Sequence, residues 1–378
     1  MDEEIGERLR KAREAAGLSL SEMTRRTSYS RGYLSNIENG SRRATPEVVV
    51  AYKRAFGHDV NRRSFLTVAG IVLADVAPRH VGLRDVDEMR EMFARLRDLD
   101  NHLGGADTYR LYSSELARTE HALDHSHYNS STRDALASLA AEQAQQAGWA
   151  AFDAGHTEPA LRLYRYSRYA AVEGKSDDLA ANALIHISYA AATPHSVDAA
   201  DAACGGSSTA SARTRALLES RRAWSLAATG DADGASRALD QARDALGDAD
   251  GAPSPHWSGW MDSTELDLMA GRVWCVLRDF CRAVPALETA LATYPDGWAR
   301  DKALYTLHLA DAYLEQGQLD QATTVAMNAV CLAAPVASAR PVAYAKRISR
   351  RLTDLKAPGA PHLADRLTRI NPPIPASL

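Results

Sequence analysis

Apolar positions recur at three- and four-residue spacing along most of this chain, the period of a helix buried on one face. In residues 3–17, Ile5, Leu9, Ala12 and Ala16 share a stripe and Gly17 stops the run. Ser19-Leu20-Ser21-Glu22 has the capping-box form, a serine with a carboxylate three residues on. It predicts a second helix over about 20–27 with Met23 inward. Ser30 can cap a third helix running through Asn39, which Gly40 ends. Thr45-Pro46-Glu47 opens a fourth, with Val48, Val49, Tyr52, Ala55 and Phe56 on its core face and Gly57 at its end. Residues 58–84 carry an apolar face of Phe65, Leu66, Ala69, Val72 and Leu73, closed by Pro78. From about 85 to 370 helical patterns follow one another and no strand pattern convinces. The predicted fold class is all-α: a small helical bundle at 1–60, a linker helix at 61–84 and a helical array at 85–378.

The array repeats. Gly155-x4-Ala160 recurs as Gly230-x4-Ala235 and Gly317-x4-Ala322, with a degenerate copy from Asp279 to Val284 and a weak one at Pro194–Ala199. The period is near the 34 residues of tetratricopeptide repeats. An aromatic residue precedes each turn, at Trp149, Trp224, Trp274 and Tyr313. The glycine makes the turn and the alanine lets the second helix pack closely on the first. The body thus resembles a tetratricopeptide-like α-solenoid, with divergent or capping helices at 85–128 and 340–370.

Charge divides the chain unevenly. Residues 1–64 hold 13 Lys+Arg against 9 Asp+Glu, a net +4; the whole chain is −4, which leaves −8 for 65–378. A basic head on an acidic body suits a polyanionic partner for the head alone. No apolar run approaches the roughly 20 residues of a membrane-spanning helix, and no signal peptide or membrane partner is expected. Arg62-Arg63-Ser64-Phe65-Leu66 looks like a twin-arginine export signal, but it follows a folded unit, and a linker helix is the better interpretation. Cys204, Cys275, Cys281 and Cys331 form no CxxC pair, which fits a reducing cytoplasm.

Two short helices around a tight turn form a helix-turn-helix. Ser30-Arg31, Tyr33-Leu34-Ser35 and Ile37-Glu38-Asn39-Gly40, preceded by AREAAGLSLSEM, closely resemble the Cro-like phage-repressor (XRE) family over residues 3–57. Such a recognition helix enters the major groove by its N-terminal end. Arg31, Gly32 and Asn36 lie there on the exposed side, and arginine and asparagine grip guanine and adenine by paired hydrogen bonds. Arg42 and Arg43 follow the helix as phosphate contacts. The resemblance further implies backbone or groove-edge roles for Ser30, Tyr33 and Asn39 and a structural ion pair between Arg13 and Glu38. Leu20 stands where the family usually has a phosphate-anchoring glutamine, which implies modest affinity for a single head.

No nucleophile elbow, dinucleotide fingerprint, Walker loop or HExxH occurs, so neither enzymatic activity nor a cofactor is expected. Cys204–Thr209 lacks the lysine of a phosphate loop and fits an inter-repeat linker. Cys275 and Cys281, six apart, fit buried apolar positions better than a redox pair. His121, His125 and His127 have metal-capable spacing, but a histidine-rich helix end is preferred to a metal site. The concave face is expected to present Gln146, Trp149, Asn182, His186, Tyr189, Arg221, Trp224, His308 and Asp311 as ligand contacts, with the loop 247–257 as a gate. An acidic groove there would disfavour strongly anionic ligands.

A repressor-type head on such a body is similar to the RRNPP peptide-receptor group. The resemblance implies a cytoplasmic homodimeric transcription regulator with a double-stranded DNA operator and a peptide or small-molecule effector. The alternative is a protein-interaction scaffold with secondary DNA binding.

Overall fold

The computed structural model describes residues 2–15, 18–27, 29–42, 48, 51–52, 55, 80–191, 196–206, 210–248, 254–336 and 338–370. Its contacts divide the chain into two compact units, Met1–Ala77 and Pro78–Leu378. The described residues form helices, and their one β-bridge pairs His80 with His127.

In the first unit, α1 (Asp2–Ala15), α2 (Leu20–Arg26) and α3 (Arg31–Glu38) enclose a core of Leu9, Leu18, Met23, Leu34, Ile37, Val48, Tyr52 and Ala55. The capping box forms as expected: Glu22 N–H donates to Ser19 Oγ at 3.2 Å, and Ser19 N–H donates to the Glu22 carboxylate at 2.7 Å. Ser30 Oγ caps α3 by accepting from Tyr33 N–H at 3.2 Å. The expected Arg13–Glu38 pair is bidentate, with both bonds at 2.7 Å. Tyr52 Oη donates to the same carboxylate at 2.8 Å, and Arg13 also donates to Leu18 O at 2.8 Å. One buried carboxylate therefore ties α1, α3 and the segment carrying Tyr52 together. The helix opening at Thr45-Pro46, the core positions Ala16, Val49 and Phe56, the stops Gly17 and Gly57, and the linker through position 79 with its Arg62-Arg63 motif lie outside the described residues.

The second unit is a run of antiparallel helix pairs. They are α4 (Leu83–Leu103) with α5 (Gly105–His125), α6 (Ser130–Asp153) with α7 (Thr157–Glu173), and α8 (Asp177–Ala191) with α9 (Ser196–Gly205). Next come α10 (Ala212–Ala228) with α11 (Ala232–Gly247), and α12 (Ser263–Val276) with α13 (Phe280–Thr293). The last are α14 (Ala299–Glu315) with α15 (Leu319–Ala333), and α16 (Ala339–Asp354) with α17 (Ala360–Thr368). Residues 80–84, expected in the linker, belong to this unit: Val81 N–H donates to His127 O at 3.0 Å, and Val81 and Val86 pack with Leu136 and Leu139.

Six turns share one closure. Gly155, Lys175, Gly230, Arg278, Gly317 and Lys356 have positive φ, from 53° to 91°. In each, the N–H of the next residue donates to the carbonyl five residues back, as His156 does to Ala151 and Asp279 to Trp274. Ala160, Ala235, Ala283 and Ala322, five residues past such a turn, are fully buried. The degenerate copy therefore starts at Arg278 and not at Asp279, because the left-handed residue there is an arginine. The buried alanine after the weak copy is Ala200, and Pro194 lies outside the described residues. The aromatic phase also divides: Trp149 and Trp224 stand six residues before the turn, whereas Trp274 and Tyr313 stand four before it and are buried.

The array curls until its last pairs meet its first. Ser338 Oγ, just before α16, donates to Asp153 Oδ1 at 2.7 Å, and Gly105 N–H at the start of α5 donates to Asp153 Oδ2 at 2.9 Å. Arg340 reaches Tyr189 on α8. Gly105 sits so close to α6 that an added Cβ would lie 2.3 Å from Ala150 O.

Two outcomes are expected from urea denaturation of the full chain. Asp153→Ala leaves buried donors at Gly105 and Ser338 without their acceptor and lowers stability by about 1–3 kcal/mol. Gly105→Ala forces α5 off α6 and costs a similar amount, about 1–3 kcal/mol.

Candidate functional site

At the head, Arg31, Gly32 and Asn36 are exposed along α3, and among the described residues nothing lies within 4 Å of where a Cβ on Gly32 would stand. Tyr33 stacks on Tyr29 at 5.0 Å, with the Arg42 guanidinium 4.6 Å over its ring. Arg42 N–H donates to Asn36 O, which holds the residue after the helix against it. Ser30 and Asn39 are exposed but spend side-chain oxygens locally, Ser30 on the helix cap and Asn39 Oδ1 on Ser41 N–H at 3.1 Å. Arg43 lies outside the described residues. Leu20 packs against the head core, as an apolar residue at that place would.

In the body, a cavity of about 570 Å³ fills the inside of the curl. Gln146, Trp149, Asn182, His186, Tyr189 and Arg221 line it, whereas Trp224, His308 and Asp311 do not. Those three sit behind its wall. Trp224 and His308 pack edge to face at 6.1 Å, and Asp311 accepts from Tyr344 Oη, Arg347 and Arg351 at 2.9–3.2 Å. Asn182 spends its amide on Gln145 Oε1 at 2.7 Å. Of the expected gate, Ser254, His256 and Trp257 line the cavity, joined by Gly259 and Trp260; residues 249–253 lie outside the described residues.

The expected acidity is overturned. Arg97, Arg221, Arg272, Arg300 and Arg340 line the cavity against two carboxylates, Glu265 and Asp301. The net charge of the body is carried mostly on its outer faces and does not describe its interior. Arg97 pairs with Glu142 at 2.8 Å and Arg300 grips Asp301 by two bonds at 3.0 Å. The other three arginines converge elsewhere. Arg272 and Arg340 each donate to Tyr189 Oη at 2.7 Å. Arg221 donates to Met269 Sδ at 2.8 Å, and Arg272 donates there too at 3.1 Å. A thioether is a weak acceptor. Arg272, 5% exposed, also lies 4.6 Å over the Trp224 ring, and Arg340 lies 5.0 Å over Trp149.

These charges set the neighbouring titrations. Burial opposes ionisation of Tyr189, yet Arg272, Arg340 and Arg221 together draw it from 10 down to about 7. Burial, aided by Arg221, pushes His186 down to about 3, so its ring stays neutral against Tyr164, 4.9 Å away. Burial lifts Glu265 to about 7 against the pull of Arg221 and the hydroxyl of Tyr305.

Sequence inspection missed Glu265, Met269 and Arg272 on α12 and Arg340 on α16. The first three had a signal. Counted back from the left-handed residue, the inner stripe, which lines the cavity or packs directly behind its wall, falls at the thirteenth, ninth and sixth positions. On α10 these are Leu217, Arg221 and Trp224, and on α12 they are Glu265, Met269 and Arg272. The one-residue error at Arg278 hid them.

The remaining candidates stay apart. His121 and His125 stack at 4.2 Å, while His127 packs on His80 at 5.4 Å. Among the described residues no three metal-ligating side chains gather. Cys281 is exposed, contrary to the buried position expected of it, and Cys275 donates to His308 O at 3.7 Å.

Tyrosinate absorbance of the full chain is expected to rise as pH passes through about 7, and Tyr189→Phe removes that step. The linkage has a sign. Ionised Tyr189 contributes stability that is full above pH 10 and lost as pH falls through about 7. Glu265 opposes it, with a contribution full below 4.5 and lost as pH rises through about 7. Urea midpoints of Tyr189→Phe should therefore lack the gain in stability that the parent shows as pH rises from about 7 towards 10.

Comparison with known proteins agrees at the head. Residues 4–66 match the family model for a helix-turn-helix domain. A crystal structure of a Rap protein complexed with competence and sporulation factor matches over 98% of this chain and 98% of its own, at 12% identity and a TM-score of 0.45. No curated protein matches the chain. The head is a helix-turn-helix domain, and the body is an all-α helical-repeat solenoid.

Proposed function

We propose that the protein is a sequence-specific DNA-binding transcription regulator, and not an enzyme, whose helical body binds a peptide or small-molecule effector in the cavity inside the curl. The observation that carries the proposal is α3, which presents Arg31 and Asn36 to solvent from a scaffold braced by the buried Arg13–Glu38–Tyr52 network. Arg42 beside it supplies charge for a phosphate. The regulator works in the cytoplasm, where its operator is. It acts as a homodimer, since one head without the glutamine at Leu20 makes fewer phosphate contacts, and it reads half-sites about 34 Å apart or a multiple of that. The cavity volume of about 570 Å³ suits an effector better than a large protein partner.

Selection of DNA sites from a random pool tests the head. Arg31→Ala should cost about 1–3 kcal/mol at the selected site and relax preference at one base position. Arg42→Ala should weaken all sequences alike and reduce the salt slope by about one. Unchanged site preference in Arg31→Ala refutes the placement of α3 in the groove. Sedimentation at working concentration should show a dimer, and the bound effector should shift operator affinity by about 1–3 kcal/mol, with the operator shifting effector affinity equally.

A further inference from the structure

Three guanidinium groups in the cavity wall make no direct ion pair, although Glu265 and Asp301 lie near enough to feel them. Among the described residues, no Asp or Glu lies within ion-pair distance of Arg221, Arg272 or Arg340. Their acceptors are a thioether, one imidazole nitrogen and a single phenol oxygen that two of them share. Arg272 is buried and Arg221 and Arg340 are half-buried, and a cation out of water is normally paired, since leaving it uncompensated is costly. Contacts with Trp224, Trp149 and Tyr189 offset part of that cost without cancelling the charge. The guanidiniums come from three helices, α10, α12 and α16, and converge on Tyr189 of a fourth. Flat apolar walls stand beside them at Trp149, Trp257 and Tyr305.

We propose that this cluster is an anion subsite, and that the effector is a compact aromatic acid whose carboxylate or phosphate docks on Arg221, Arg272 and Arg340. This rests on the cavity being the effector site. The volume of about 570 Å³ is that of a small-molecule pocket. Planar oxyanions match the guanidinium fork by paired hydrogen bonds. Tyr189 is the internal stand-in for the missing charge, and an arriving anion shares its partners.

Calorimetric titration of the full chain, without DNA and at fixed ionic strength, tests the proposal with three probes: 2-naphthoate, 2-naphthyl phosphate and the neutral 2-naphthamide. At least one acid should bind about tenfold or more tightly than the amide. Preference for naphthoate marks a carboxylic acid as the natural ligand class, and preference for the phosphate marks a phosphoryl ester. Arg221→Gln and Arg340→Gln should each lose about tenfold in acid affinity and leave the amide unchanged. They are chosen over Arg272, whose packing on Trp224 makes it part of the core. Arg340→Lys should restore part of the loss. Acid binding should also move the Tyr189 absorbance step to higher pH, because the anion neutralises the charges that favour the phenolate. Failure of both acids to bind, equal binding of the amide, or acid binding indifferent to both Gln variants overturns the proposal. Acid binding that leaves operator affinity unchanged keeps the subsite and refutes its regulatory role. A neutral ligand that shifts operator affinity while the acids fail to bind does the reverse.

Discussion

Close approach between small residues governs the body. Ala140, Ala141, Ala144, Ala147 and Ala151 on α6 are buried at or near zero exposure, and Gly148 lets the Tyr164 ring of α7 rest where a Cβ would lie 2.5 Å from it. Helices joined by such faces stand near the short end of the usual spacing. With the left-handed turns repeated, the array curls tightly enough for Ser338 to reach Asp153, 185 residues earlier in the chain.

That closure has an electrostatic consequence. Inner-stripe side chains of an open solenoid face water, where an arginine costs little. Here Arg272 is 5% exposed and Arg300 4%. Arg300 is neutralised by Asp301, whereas the three arginines around Tyr189 share a phenol whose ionisation their own field promotes. The cluster thus behaves as one coupled system, in which the Tyr189 phenolate and an anion in the cavity compete for the same positive charge, so that protonation of Tyr189 and anion binding favour each other.

The described part of the head, its three helices and their caps, was legible because its information is local. Ser19 and Glu22 are three residues apart, Ser30 and Tyr33 likewise, and Gly40 sits at the end of its own helix. In the body, legibility followed the glycines. Turns at Gly155, Gly230 and Gly317 were found, and those at Lys175 and Lys356 passed unseen because lysine does not advertise a left-handed backbone. At Arg278 the same silence displaced the register by one residue, enough on a helix to rotate Arg272 and Met269 out of the predicted stripe. Arg340 carried no local signal, since its place in the cavity depends on ring closure. The charge of the cavity was misjudged for a related reason: a sum over a segment does not separate inward from outward positions, and here the two differ in sign.

The placement of the cluster bears on how occupancy could be transmitted. Arg340 enters on α16, Tyr189 on α8, and Arg221 and Arg272 on α10 and α12. Loosening the curl at Ser338–Asp153 would also part Arg340 from Tyr189, because both contacts cross the same seam. An occupant bonded to Arg340 and Arg221 together spans that seam and favours the closed arrangement over any opened one. A ligand held on α10 and α12 alone would bind both arrangements equally and shift neither, however tight its binding. Contact with Arg340 is therefore the feature that separates an effector from a mere occupant.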